Sequence, residues 1–81
     1  MFRRLASALE PRHVIEARFV AINSDPDASP EEVAAVCLDA IRLLAGRGDP
    51  DALWGLEAIR QDVPFSEVVD ELTARFAARD A

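Results

Sequence analysis

The sequence predicts an all-α fold, a small bundle of four to five helices. Similar helix-start signals occur at three places in the chain, and apolar residues follow each of them at helical spacing. The 81 residues are enough for one compact domain and too few for two. We therefore expect residues 1–81 to form a single helical domain, with a basic helical segment at 1–23, a loop at 24–29 and an acidic helical bundle at 30–81.

Residues 1–23 carry apolar side chains at helical spacing, but a proline interrupts the pattern. The first apolar group consists of Phe2, Leu5 and Leu9. Pro11 separates it from a second group, which is Val14, Ile15, Phe19 and Ile22. This pattern predicts a short helix, a break and a second helix that ends at about Asn23. Because valine, isoleucine and phenylalanine also favour strands, the alternative is a strand over residues 14–22.

The next helix-start signal lies at Ser29 and Pro30. A serine hydroxyl can accept hydrogen bonds from free backbone N–H groups, and proline suits the first helical position. The apolar stripe that follows consists of Val33, Val36, Cys37, Ala40, Ile41 and Leu44. It predicts a central helix over residues 30–45. Gly46 is expected to take the left-handed conformation that ends this helix.

A further helix is predicted close behind, over residues 50–61. Asp49 and Pro50 repeat the start signal, and only three residues separate Gly46 from Pro50. So short a connection predicts that residues 30–45 and 50–61 form a central antiparallel helix hairpin. Gly55 lies inside the second helix of this pair, next to Trp54, and indicates close packing or a kink.

The clearest amphipathic helix follows Pro64. Its apolar residues fall at i, i+3, i+4, i+7 and i+11, whereas charged residues take the opposite side. The apolar positions are Phe65, Val68, Val69, Leu72 and Phe76. Ser66 or a residue near Pro64 is the expected N-cap.

Residue types that support catalysis or metal binding are scarce in the sequence. The single histidine, His13, has Glu16 on the same helix face but lacks the further ligands of a metal site. The single cysteine, Cys37, lies on an apolar stripe, where burial would keep the thiol inert. We therefore predict no catalytic residue, no metal and no cofactor, and do not expect an enzyme. A lone thiol and the lack of a membrane-length apolar run favour a cytoplasmic protein without membrane association.

Charge is distributed unevenly along the chain. All nine basic residues are arginine, which is typical of GC-rich bacterial coding sequences. Four of them form a candidate basic patch near the beginning: Arg3, Arg4, Arg12 and Arg18. From Ser24 onward there are thirteen carboxylates and five arginines, a balance that repels phosphate. Binding to nucleic acid is therefore not expected.

The leading functional hypothesis is a non-catalytic protein–protein interaction or oligomerisation module. Aromatic residues are numerous relative to the small core that a chain of this length can form. Four of them are candidate interface residues: Trp54, Phe19, Phe65 and Phe76. The competing interpretation places all of them in the core. Because a small domain gains stability from association, we expect a homodimer or an unidentified protein partner. An acidic helical surface that occupies a basic groove is a regulatory variant of this hypothesis.

The alternative is a small DNA-linked transcriptional regulator that uses the arginine-rich first segment. Residues 64–69, Pro-Phe-Ser-Glu-Val-Val, resemble the helix opening of ribbon-helix-helix antitoxins. That resemblance implies a basic strand before two helices, and here residues 24–81 are strongly acidic. Only Arg3, Arg4, Arg12 and Arg18 remain as residues that would contact phosphate.

Overall fold

The computed structural model describes residues 10 to 80, which fold into four helices. They are α1 (Arg12–Asn23), α2 (Pro30–Gly46), α3 (Pro50–Arg60) and α4 (Phe65–Asp80). No strand occurs within residues 10–80. The predicted all-α class is therefore confirmed, and the strand alternative for residues 14–22 is wrong. The short helix predicted before Pro11 lies outside the described residues.

The starts of α2 and α3 follow the predicted capping chemistry. The Ser29 hydroxyl accepts a hydrogen bond from the backbone N–H of Glu32 at 3.2 Å. Asp49 accepts from the backbone N–H groups of Asp51 at 3.0 Å and Ala52 at 3.4 Å. Each cap therefore satisfies N–H groups that have no partner within the helix itself.

The end of α2 differs from the prediction in the residue that turns the chain. Gly48, at φ 81°, is the left-handed residue, whereas Gly46 is still helical. The Gly48 N–H donates to the Ala45 carbonyl at 2.9 Å and the Asp49 N–H donates to the Leu44 carbonyl at 3.1 Å. This pair of bonds is a Schellman motif, which needs a left-handed residue just beyond the last helical turn. The prediction for Gly46 was two residues early because the sequence offers two glycines there.

The end of α3 uses the same motif without a glycine. Asp62 has a φ of 64°, and its N–H donates to the Ile59 carbonyl at 3.1 Å. The Val63 N–H donates to the Ala58 carbonyl at 3.0 Å. Aspartate tolerates the left-handed region better than most residues, but less well than glycine.

The apolar stripes of all four helices meet in one core. Its largest fully buried apolar side chains include Phe19, Phe76, Ile41, Leu44 and Leu72. Phe19 and Phe76 pack edge to face with 5.3 Å between ring centroids, which joins α1 to α4. α2 packs against both α1 and α3, and α4 packs against α3 and α1. The helices therefore close around the core, with a radius of gyration of 12.1 Å.

The predicted pairing of residues 30–45 and 50–61 is present as contact between α2 and α3. Their antiparallel orientation stays a prediction. Within residues 10–80, no helix combines the length and the apolar character that a membrane crossing requires.

Candidate functional site

A concave feature of the described surface is a groove between α1, α2 and α4, which we call the α2–α4 groove. Its volume is about 360 Å³. Its apolar lining comes from Ala28, Pro30, Val33, Ala34, Phe65 and Val69. Asn23, Ser66 and Asp70 supply the polar lining. The lining of the groove is therefore mainly apolar and includes three polar residues.

The helix starts explain why apolar side chains are accessible here. Pro30 opens α2 and Phe65 opens α4, so most of the groove lining comes from the first two turns of two helices. Val33 and Phe65 pack on the buried core but stay partly exposed. Both line the groove, so part of their apolar surface faces it.

Acidic residues flank the lining of the α2–α4 groove in the sequence. The two stretches that supply the lining, residues 23–34 and 65–70, contain six carboxylates and no arginine, lysine or histidine. These carboxylates are Asp25, Asp27, Glu31, Glu32, Glu67 and Asp70, and all are exposed. They give this part of the surface a negative potential.

Asn23 connects the groove to the core. Its side-chain amide donates to the Phe19 carbonyl at 2.8 Å and to the Cys37 sulfur at 3.2 Å. Cys37 is fully buried, which confirms the prediction of a core cysteine. Burial raises the pKa of the Cys37 thiol more than the hydrogen bond from Asn23 lowers it. The thiol is therefore protonated and inert at neutral pH.

A second cluster of charged residues lies at the junction of α1, α3 and α4. We call it the Arg79 cluster, and it comprises Glu16, Asp49, Asp51, Arg75 and Arg79. Arg79 donates from Nη1 and Nη2 to the two Asp49 carboxylate oxygens at 3.0 and 2.7 Å. It also donates to Asp51 at 2.7 Å and to Glu16. One guanidinium therefore connects α1, the N-terminal turn of α3 and the last turn of α4.

Burial makes the ion pairs of this cluster depend on one another. The Glu16 and Asp49 side chains are only 2% and 3% exposed. Within the described residues, Glu16 Oε2 is buried without a hydrogen-bond partner. Burial by itself raises the pKa of Asp49, but hydrogen bonds from Arg79 and from the backbone N–H groups of Ala52 and Asp51 outweigh it and lower that pKa. This arrangement stabilises packing between helices, because all three acids pair with Arg79.

The predicted interface residues are divided between the core and the surface. Phe19 and Phe76 are fully buried and contact each other. Trp54 is partly buried, and the Arg75 guanidinium lies 4.2 Å from the centroid of its ring. Phe65 lines the α2–α4 groove. Of the four, Phe65 and Trp54 therefore keep surface that a partner would contact.

The predicted basic patch is only partly described, because Arg3 and Arg4 lie outside residues 10–80. Arg18 pairs with Glu10, and Arg12 lies 3.9 Å from Glu16. Both described arginines are thus next to a carboxylate, which reduces the positive potential they present. Residues 10–80 contain no group of three or more histidine, cysteine, aspartate or glutamate side chains arranged to hold a metal ion.

Sequence reasoning missed the α2–α4 groove and the Arg79 cluster. Asp70 is among the charged residues opposite the apolar stripe of α4, and no local sequence pattern singles out Arg79. The signal for the groove was the run of carboxylates around two helix starts. Comparison with protein families, curated proteins and solved structures found no significant match to this chain.

Proposed function

We propose that this chain is a non-catalytic protein-interaction module that binds another polypeptide in the α2–α4 groove. The observation that carries the proposal is the partly exposed Phe65 in a concavity whose lining is mainly apolar and includes three polar residues. Interfaces favour an apolar centre with an aromatic anchor and a polar edge. The groove has this composition. Phe19 and Phe76, the other phenylalanines of the described part, are buried in the core.

The dimensions of the groove suit side chains of a partner segment. Its volume of about 360 Å³ holds a few large apolar side chains and leaves the backbone that carries them outside. Binding of an amphipathic segment in a groove between helices is a recurrent mode of peptide recognition. A central antiparallel hairpin of α2 and α3, as predicted from the sequence, would provide a rigid support for one wall.

The polar lining favours binding over catalysis. Ser66 and Asp70 are one helical turn apart, but a serine nucleophile also needs a base such as histidine within hydrogen-bond reach. The lining consists of Asn23, Ser66 and Asp70 besides its apolar residues. These groups are suited to orienting a bound segment through hydrogen bonds.

Selection of peptides on the immobilised protein tests this proposal. We would select a phage library of random twelve-residue peptides against the wild-type chain and then compare binding to two variants. Ala34→Trp places an indole in the groove, whereas Ala35→Trp places it on the neighbouring exposed position outside the lining. Alanine at either site is exposed, so we expect both variants to fold, which circular dichroism checks.

We expect peptides that bind the wild type and Ala35→Trp and lose at least about tenfold in affinity for Ala34→Trp, because the indole occupies their site. A selection that returns no binder, or binders equally affected by both variants, would contradict a polypeptide site in the groove.

A further inference from the structure

We infer that the polypeptide bound in the α2–α4 groove is a basic segment of a partner protein, with arginine or lysine residues on either side of an apolar anchor. This inference rests on the proposed function and adds the chemistry of the partner. It follows from the charges around the groove, which are all of one sign on the segments that line it.

The acidic residues lie immediately beside the lining residues. Asp27 precedes Ala28, Glu31 follows Pro30 and Glu67 follows Ser66, while Asp70 is itself part of the lining. A segment that places one apolar side chain in the groove would therefore bring its neighbours close to several carboxylates. Such an arrangement attracts cationic side chains and repels anionic ones.

The two helix N-termini at the groove favour an anionic ligand, but the carboxylates outweigh their effect. The starts of α2 and α4 each contribute the equivalent of roughly half a positive charge. The segments that line the groove carry six carboxylates. Ser29 already accepts from the N–H of Glu32, and Pro30 has no N–H to donate. An anionic ligand is therefore disfavoured at this site.

A second copy of the chain is also a poor occupant for a symmetric contact across the groove. In such a contact the same surface of each copy would meet the other, so carboxylates would face carboxylates. Like charges in an interface cost binding energy, whereas a basic partner gains from the same carboxylates. Charge complementarity thus selects a partner of opposite charge.

The sequences of the peptides from the selection test this inference directly. Among peptides that Ala34→Trp displaces and Ala35→Trp does not, we expect enrichment of arginine or lysine next to an aromatic or large aliphatic residue. Groove-specific peptides without basic residues would overturn the inference and leave the proposed function standing. A selection without groove-specific peptides would remove both.

Two charge variants with the same change in net charge provide the second test. Asp70→Asn with Glu67→Gln removes two carboxylates at the groove, whereas Asp39→Asn with Glu57→Gln removes two exposed ones that do not line it. We expect the first pair of substitutions to lower the affinity for the selected peptide about fivefold to tenfold. The second pair should change that affinity less than about twofold. Fluorescence anisotropy at low ionic strength measures both, and equal effects would overturn the inference.

Sedimentation of the wild type and of Ala34→Trp tests whether a second copy of the chain occupies the groove. A wild-type dimer that becomes monomeric in Ala34→Trp and stays dimeric in Ala35→Trp would place a second copy in the groove and overturn the inference. A wild type that is monomeric while it binds the basic peptide supports it.

Discussion

Gly55 allows α3 and α4 to approach each other closely. A β-carbon at this position would lie 3.0 Å from Leu72 Cδ1, and 3.7 Å from side-chain carbons of Ile41 and Val68. Leu72, Ile41 and Val68 are all fully buried, so none can move into solvent to make room. The sequence pattern indicated either close packing or a kink at Gly55, and the structure shows close packing.

We predict that Gly55→Ala lowers the free energy of unfolding by about 1 kcal/mol. Alanine gains roughly 1 kcal/mol in helix propensity, but overpacking a filled core costs about 1–3 kcal/mol. Gly46→Ala is the matched control, because it is also helical and has open space around its β-carbon. It should raise stability by up to about 1 kcal/mol. Urea unfolding followed by circular dichroism measures both, and an equal gain for the two variants would rule out steric restriction at Gly55.

Asp62 has a left-handed backbone that suits glycine better than aspartate. Its carboxylate also lies just beyond the C-terminus of α3, where the helix dipole disfavours negative charge. We therefore predict that Asp62→Gly raises the free energy of unfolding by about 0.5–1 kcal/mol. Asp62→Asn separates the two causes, since it removes the charge and keeps the side chain. A loss of stability in Asp62→Gly, measured by thermal unfolding, would show that the carboxylate has an unrecognised stabilising contact.

At the scale of the helices, the Arg79 cluster is the main polar connection. It joins α4 to Glu16 of α1 and to Asp49 and Asp51 at the start of α3. Removing one partner of a buried ion pair leaves the other charge without compensation. The cost of such a change therefore exceeds the net stabilisation that the intact pair provides.

We predict that Arg79→Gln lowers the free energy of unfolding by about 3 kcal/mol, because it leaves Asp49 buried without a cation and leaves Glu16 with Arg12 alone, at 3.9 Å. Arg75→Gln is the control on the same helix. The Arg75 side chain is 33% exposed, and its partners Glu71 and Asp51 are 49% and 24% exposed, so the loss should be clearly smaller than for Arg79→Gln. Chemical denaturation of the two variants measures both losses of stability. A larger loss for Arg75→Gln than for Arg79→Gln would contradict the prediction.

The lowered pKa of Asp49 makes part of this stability dependent on pH. An aspartate in the unfolded chain titrates at about 3.9. Because the pKa of Asp49 is lower in the folded chain, the stabilisation is complete above the pKa of the unfolded chain. It is lost as the pH falls through the pKa of the folded chain. We predict that wild type and Asp49→Asn, which keeps an N-cap residue, differ most above about pH 5 and converge below about pH 4. A difference that does not change with pH would mean that the Asp49 charge does not contribute.

The helices could be predicted from the sequence because their signals are local. Caps at Ser29 and Asp49, prolines at first helical positions and apolar spacing all act within a few residues. The Arg79 cluster could not be predicted in this way, since Glu16 and Arg79 are 63 residues apart in sequence. The groove was equally hidden, because it depends on how the first turns of α2 and α4 meet.

At the scale of the whole molecule, the core closes within one chain. Phe19 of α1 and Phe76 of α4 come from opposite ends of the described part and bury each other. Phe19 and Phe76, which were candidate interface residues in the sequence, are part of the core. Folding of the described helices therefore does not depend on a second copy to cover those rings.

The state of association in solution follows from this closure and from the net charge of −6. We predict that the chain is a folded monomer at neutral pH and low ionic strength, because Phe19 and Phe76 are covered within one chain and the acidic surfaces repel each other. Light scattering and circular dichroism across a dilution series test this prediction against the homodimer expected from the sequence. Constant mass and constant helical content support a monomer that binds a separate partner. A dimer that loses helix on dilution would show that self-association is part of the fold, because a folded state coupled to dimerisation depends on protein concentration.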